Sequence, residues 1–173
     1  TSSITNTGTL TGYNGVYNNI INTTSTSIIN PGLLGGIGAY LTIDNVVGVQ
    51  NFSGHTINLD IYSNTSYNGI VLTGNASLTG ATINITLDPA YVPADGDAFT
   101  LIDASSFTTT SATINLPTIT GFTWTVTTTS GNLVATLTEN FALSISLKSF
   151  SAHKIIFGNE INWRVVHGCS WSS

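Results

Sequence analysis

Asp88, Asp95, Asp97 and Asp103 fall within one short stretch of the chain, and Asp95-Gly96-Asp97 has the form of a carboxylate-bearing turn. Ca²⁺ wants about six to eight oxygen ligands on such a turn. The spacing fits no cation-loop motif, so a plain Asp-Gly turn is the expected reading and no metal is assigned. His55, His153 and His167 are scattered, with no HxH or HExxH pattern and only one cysteine, Cys169. That pattern does not favour zinc. Asp44 and Asp60 are the one carboxylate pair that folding brings into consideration for glycoside cleavage, which needs two acids about 5 to 9 Å apart. Serine and threonine are abundant, yet no G-x-S-x-G elbow occurs and none has a base nearby in sequence. Tyr13, Tyr17, Tyr62, Tyr67 and Trp124 are aromatic faces suited to stacking on sugars. The chain reads as a non-enzyme without a cofactor.

Charge narrows the partners further. Lys148, Lys154 and Arg164 are the only basic side chains, so residues 1–147 hold seven carboxylates and no lysine or arginine. Their formal charge is −7; residues 148–173 contribute +2, giving −5 overall. Without a basic patch there is no counterion-release energy to hold nucleic acid. Polyanionic sugars and anionic membranes are disfavoured for the same reason. No run approaches the ~20 apolar residues that span a bilayer, so membrane insertion is not expected. Residues from Thr1 onward lack the charged and apolar regions of a signal peptide. The lone Cys169 permits no intrachain disulfide and is read as a small, half-buried hydrophobe.

Such residues must be positioned by strands. Apolar side chains alternate with threonine and asparagine in Leu41/Ile43, Ile57/Leu59/Ile61, Ile83/Ile85/Leu87, Phe99/Leu101, Phe122/Trp124/Val126 and Leu133/Ala135/Leu137. Period-two alternation is the mark of half-buried strands, and threonine itself favours them. Turn signals separate the runs, among them Asn68-Gly69, Asp95-Gly96 and Ser130-Gly131. The strand starts at Leu41, Ile57, Ile70, Ile83 and Phe99 recur every ~13 to 16 residues. The spacing predicts an all-β chain. The even spacing fits a β-sandwich, a barrel or a β-solenoid over residues 1–140, and one chemical argument favours the solenoid: uncharged rungs stack on their own kind without repulsion.

Three segments resemble a known family. They are Pro31-Gly-Leu-Leu-Gly-Gly-Ile-Gly-Ala-Tyr-Leu-Thr-Ile-Asp44, the run from Tyr67-Asn-Gly-Ile-Val-Leu through Thr82-Ile-Asn-Ile-Thr-Leu87, and Pro93-Ala-Asp-Gly-Asp-Ala-Phe-Thr-Leu-Ile-Asp-Ala104. With Ile114-Asn-Leu-Pro117 and Phe122-Thr-Trp124, they are similar in order to the modules of bacterial autotransporter-like and adhesin-like β-solenoid passengers. The resemblance covers roughly residues 31–138. It implies a secreted, cell-surface right-handed β-solenoid and supplies no catalytic residues.

Residues 141–173 resemble something else. Leu143-Ser-Ile-Ser-Leu-Lys-Ser-Phe-Ser-Ala152 and Asn159-Glu-Ile-Asn-Trp163 look like the opening of the immunoglobulin-like sorting region of Bacteroidota type IX secretion cargo. Ala142 stands where that pattern has proline, Val165-Val-His-Gly-Cys169 departs from its continuation, and the remaining strands of such a domain do not follow. The expectation is a C-terminal hairpin, an incomplete sorting region or donor-strand segment. Leu143, Ile145 and Leu147 lie on its first strand, Ile161, Trp163 and Val165 on its second, and Phe157-Gly-Asn-Glu160 forms the turn. A lone hairpin is marginal in water, so these residues, with Phe150 and Trp171, form the expected subunit interface. A contact of this type that does not close yields a helical or linear homopolymer. The functional expectation is therefore a self-assembling extracellular filament or sheath. The alternative is an adhesin or glycan-binding stalk, and ice binding through Thr-x-Thr ladders such as Thr123-Trp-Thr125-Val-Thr127 stands behind both.

Overall fold

A computed structural model of the chain describes residues 3–12, 14–22, 26–32, 38–44, 48–140, 152–157 and 160–165. The chain divides into two compact units, Thr1–Asn140 and Phe141–Ser173. Among the described residues every regular element is a strand and there is no helix. The all-β expectation holds.

The first unit opens with β1 (Ser3–Asn6), β2 (Thr9–Gly12), β3 (Val16–Tyr17) and β4 (Asn19–Asn22). The chain then passes through three sheets in a fixed order. It runs from β5 (Ile28–Pro31) to β6 (Tyr40–Ile43) and β7 (Val49–Asn51). It returns to β8 (Thr56–Ser63) and, past the short β9 (Ser66–Tyr67), goes on to β10 (Gly69–Leu72) and β11 (Asn75–Ser77). A third pass takes β12 (Thr82–Leu87), β13 (Ala98–Asp103) and β14 (Ser106–Thr108), and β15 (Thr113–Asn115) begins a fourth. The long β16 (Phe122–Thr129) and β17 (Asn132–Glu139) close the unit.

The first sheet has the order β2-β5-β8-β12-β15 and is parallel throughout; β9 adds to β8 antiparallel. The second runs β3-β6-β10-β13 in parallel and then switches, with β17 antiparallel to β13 and β16 antiparallel to β17. The third is β7-β11-β14, again parallel. β1 and β4 form a separate parallel pair. The buried amide of Gln50 joins that pair to the start of the third sheet: its Oε1 accepts from Ile20 N at 2.9 Å and its Nε2 donates to Ile20 O at 2.6 Å.

The parallel register puts like residues on like. Ile29, Ile57 and Ile83 follow one another in the first sheet and are fully buried, while Leu41, Ile70 and Ile102 do the same in the second. One apolar cluster draws on all three sheets. Burying each such side chain contributes on the order of 1.5–3 kcal/mol. An asparagine follows each of Ile29, Ile57, Ile83 and Ile114, and these asparagines form a continuous ladder. Asn58 Nδ2 donates to Asn30 Oδ1 at 2.7 Å, Asn84 to Asn58 at 2.8 Å and Asn115 to Asn84 at 2.7 Å.

The return from the third sheet to the first is also repeated. His55 N, Ala81 N and Ala112 N each close a four-residue turn on Phe52 O, Leu78 O and Thr109 O. The third residue of each turn has positive φ: Gly54 (72°), Gly80 (66°) and Ser111 (59°). A type II turn requires this geometry there, and glycine adopts it without strain. The β16–β17 loop is Ser130-Gly131, with φ of 48° and 89°. Positive φ at both loop residues is the signature of a type I′ hairpin.

In the second unit β18 (Ala152–Phe157) pairs antiparallel with β19 (Glu160–Val165), Phe157 opposite Glu160 and Ala152 opposite Val165. The pair flanks the expected turn residues, and the partner of Ile161–Val165 is Ala152–Phe157. Leu143, Ile145 and Leu147, expected on a first strand, lie outside the described residues. Ile161, Trp163 and Val165 occupy register positions opposite Ile156, Lys154 and Ala152.

The ladder sets a graded expectation. Asn58→Ala removes a side chain bonded on both sides and should lower the unfolding free energy by about 2 kcal/mol, whereas Asn115→Ala, exposed and bonded once, should cost about 0.5 kcal/mol. Urea titration of the two variants measures the difference, and equal losses would show that the amides do not act as a ladder.

Candidate functional site

Of the carboxylates considered for calcium, Asp88 and Asp97 cap local turns, Asp95 reaches the end of β17, and Asp103 lies within β13. Asp97 Oδ2 accepts from Tyr91 Oη at 2.5 Å and from Ala94 N at 2.9 Å. Asp95 Oδ1 accepts from Glu139 N at 2.9 Å, tying the loop before β13 to the end of β17. Asp88 Oδ1 accepts from Ala90 N at 2.7 Å. Among the described residues no three His, Cys, Asp or Glu side chains gather as a metal site would require. Tyr91 is held well above the usual tyrosine range, first by burial and then by its bond to the Asp97 carboxylate.

The Asp44–Asp60 pair is not assembled as a catalytic couple. Asp44 follows β6 and accepts from Thr73 Oγ1 at 2.8 Å. Asp60 belongs to β8, in a different sheet, where Asn68 and Tyr62 donate to its Oδ2 over 3.4 and 3.5 Å. Burial raises the Asp60 carboxyl above the ordinary aspartate range, and the Tyr62 hydroxyl partly offsets this. Two of the sugar-stacking candidates, Tyr67 and Trp124, come together on buried Phe99, whose ring also meets Tyr91. Tyr13 lies outside the described residues. Of the expected interface residues, Leu143, Ile145, Leu147, Phe150 and Trp171 lie outside them as well.

A depression with mixed chemistry lies on the second sheet. It has a volume of about 380 Å³ and is bordered by Tyr40, Tyr67, Thr100, Asp103 and Asn132 over Ile70 and Val71. Tyr40 is one of the few large apolar side chains left exposed, and its ring stands edge-on to Tyr67 with centroids 6.0 Å apart. Burial and the neighbouring Tyr67 hydroxyl push the Tyr40 phenol far above its ordinary range, so it stays protonated in any common buffer. The Tyr40 ring lies over Gly69, its neighbour in the register. A Cβ there would lie 2.8 Å from Tyr40 Cε1 and 3.2 Å from Thr100 O. Along the same strands Val71 is opposite Asp103, and Asp103 is opposite Asn132. Asn132 Oδ1 is buried without a hydrogen-bond partner, at a standing cost of about 1–3 kcal/mol.

Sequence reasoning passed over Tyr40, Asp103 and Asn132 as a group, because only the switch from parallel to antiparallel pairing at β13 brings them together. It also passed over the asparagine ladder, although Thr56-Ile-Asn58, Thr82-Ile-Asn84 and Thr113-Ile-Asn115 carried the signal.

One buried titratable group stands apart. His55 is buried at the turn between the third and first sheets, with no partner for Nδ1, and burial lowers its pKa below 6.5. The unfolded chain then binds the proton more readily than the folded one, so stability rises with pH across the window. The contribution is full above pH ~6.5 and is lost as pH falls from there toward the folded-state pKa, by at most ~1.4 kcal/mol per pH unit. Unfolding titrations at pH 7.5 and 5.5 should therefore show wild type losing more stability on acidification than His55→Leu. Matching losses would dismiss the imidazole as the cause.

Among the described residues no helix is long and apolar enough to cross a membrane. No protein-family model matches the chain, and no curated protein matches it.

Proposed function

We propose that the chain is a secreted, cell-surface structural protein whose copies join into an extracellular filament or sheath, on a body that winds as a right-handed β-solenoid. The winding is supported by the repeated passage through three sheets and by pairing between residues 26 to 31 apart along the asparagine ladder. A sandwich instead joins antiparallel neighbours within and between two sheets. Crossovers between parallel strands of one sheet are right-handed in nearly every case.

The observation that carries assembly is β16. This eight-residue strand pairs with β17 on one side, and no pairing on its other side occurs among the described residues. Phe122, Trp124 and Val126 turn toward the core, while Thr123, Thr125 and Thr127 are exposed. An open strand with no lysine, proline or bulge lacks the usual devices that prevent edge-to-edge pairing. The second unit supplies six-residue strands, and residues 148–173 have formal charge +2 against −7 for the rest. Strand addition by that segment to β16 of a neighbouring copy is favoured in both hydrogen bonding and charge. A head-to-tail contact of this kind propagates.

Negative-stain images of the concentrated full chain should show filaments. The Thr125→Lys/Thr127→Lys double variant, which sets positive charge beside the added strand, should raise the concentration needed for them by at least ~10-fold. Thr86→Lys, exposed on β12 between two paired strands, should leave it unchanged. Wild-type material that stays monodisperse at every concentration would sink the reading.

A further inference from the structure

We infer that the depression between Tyr40 and Asn132 is a binding site for a neutral pyranoside of a glycan. The inference stands independently of assembly.

Its geometry separates an apolar end from a polar end. At the apolar end stands the partly exposed ring of Tyr40, which lies over Gly69. That ring is not a loose surface side chain. Tyr40 meets Tyr67 edge-on, Tyr67 meets buried Phe99 edge-on and Phe99 meets Trp124 at a tilt, so a run of ring contacts anchors it to the core. A fixed aromatic face with one open side offers flat apolar contact at little cost in side-chain entropy. The axial C–H face of a pyranose ring is the matching ligand surface.

At the polar end the Asp103 carboxylate and the Asn132 amide face each other across the β13–β17 register. They lie two residues along the strands from the Gly69 position and one and two strands across from it, so the backbone positions are about 8 and about 12 Å away. Asp103 is exposed and its carboxylate accepts hydrogen bonds only. The Asn132 amide offers both donor and acceptor, and its unpaired Oδ1 leaves one acceptor for a ligand hydroxyl after a small turn of the amide. Thr100 adds a hydroxyl at the rim. Adjacent ring hydroxyls, each both donor and acceptor, complete such a set better than a purely apolar ligand can. The volume, about 380 Å³, is at the small end of the range for ligand pockets, enough for one sugar unit with the chain continuing into solvent.

Charge selects within the class. Asp103 stands in the site and no lysine or arginine occurs in residues 1–147. A uronate or sulfated sugar would meet repulsion with nothing to neutralise it. The ligand is therefore an uncharged hexose or N-acetylhexosamine unit.

Calorimetric titration of the full chain with β-1,4-linked tetrasaccharides of glucose, mannose and N-acetylglucosamine tests this, with tetragalacturonate as the charged probe. At least one neutral probe should bind with a Kd of about 1 mM or below. Tyr40→Ala and Asp103→Asn should each weaken it by at least ~10-fold, whereas Val92→Ala, at an exposed position outside the depression, should not. Asp103→Asn keeps the shape and sits outside the core, and far-UV circular dichroism shows whether each variant is folded. Absence of binding by all three neutral probes would overturn the inference. So would binding that survives both substitutions, or tetragalacturonate binding as tightly as a neutral probe.

Discussion

In-register parallel pairing is the constraint on which the rest of this structure depends. When equivalent positions of successive passes lie ~4.8 Å apart, each side chain meets its own counterpart above and below. Aliphatic residues gain from this, and so do amides, which carry both donor and acceptor. Repeated charges do not, since like charges directly opposed destabilise a sheet. The chain reflects that rule in detail. Asp60, Asp103 and Glu139, the acids within strands of the first unit, stand opposite Thr86, Val71 and Asn132, and Phe122 respectively. The shortage of charge is thus a condition of stacking.

The second sheet shows what happens where stacking stops. β13 accepts a parallel partner on one side and an antiparallel one on the other, with an irregular register between Thr100 and Ile102. The switch covers the last pass with a tight hairpin and a Trp124 ring whose Nε1 is tied to Pro117 O at 2.8 Å. It also places residues distant in sequence on one outer row. The stacked region contributes stability by repetition, and the irregular rim is where its surface acquires individual chemistry.

Much of the fold was legible in the sequence. The alternating runs at Ile57-Asn-Leu-Asp-Ile61 and Ile83-Asn-Ile85 form strands with isoleucine and leucine inward, because period two and burial on one face specify the same answer. The ladder asparagines escaped notice because their spacings of 28, 26 and 31 are unequal: insertions fall in the turns, and pairing restores the register. Nothing local joins Tyr40 to Asn132, so the depression follows from topology alone.

The asparagine ladder has a direction. Each amide donates toward the preceding pass and accepts from the following one, so the side-chain dipoles from Asn115 to Asn30 all point the same way. Reversing one amide would set donor against donor on one side and acceptor against acceptor on the other, so the row inverts only as a whole. The two ends of the ladder are therefore unlike in kind: an amide oxygen is left at Asn115, and an amide hydrogen at Asn30, which the register sets opposite Thr11 of β2. A stack of such units carries a built-in arrow, written in hydrogen atoms, that distinguishes its front from its back.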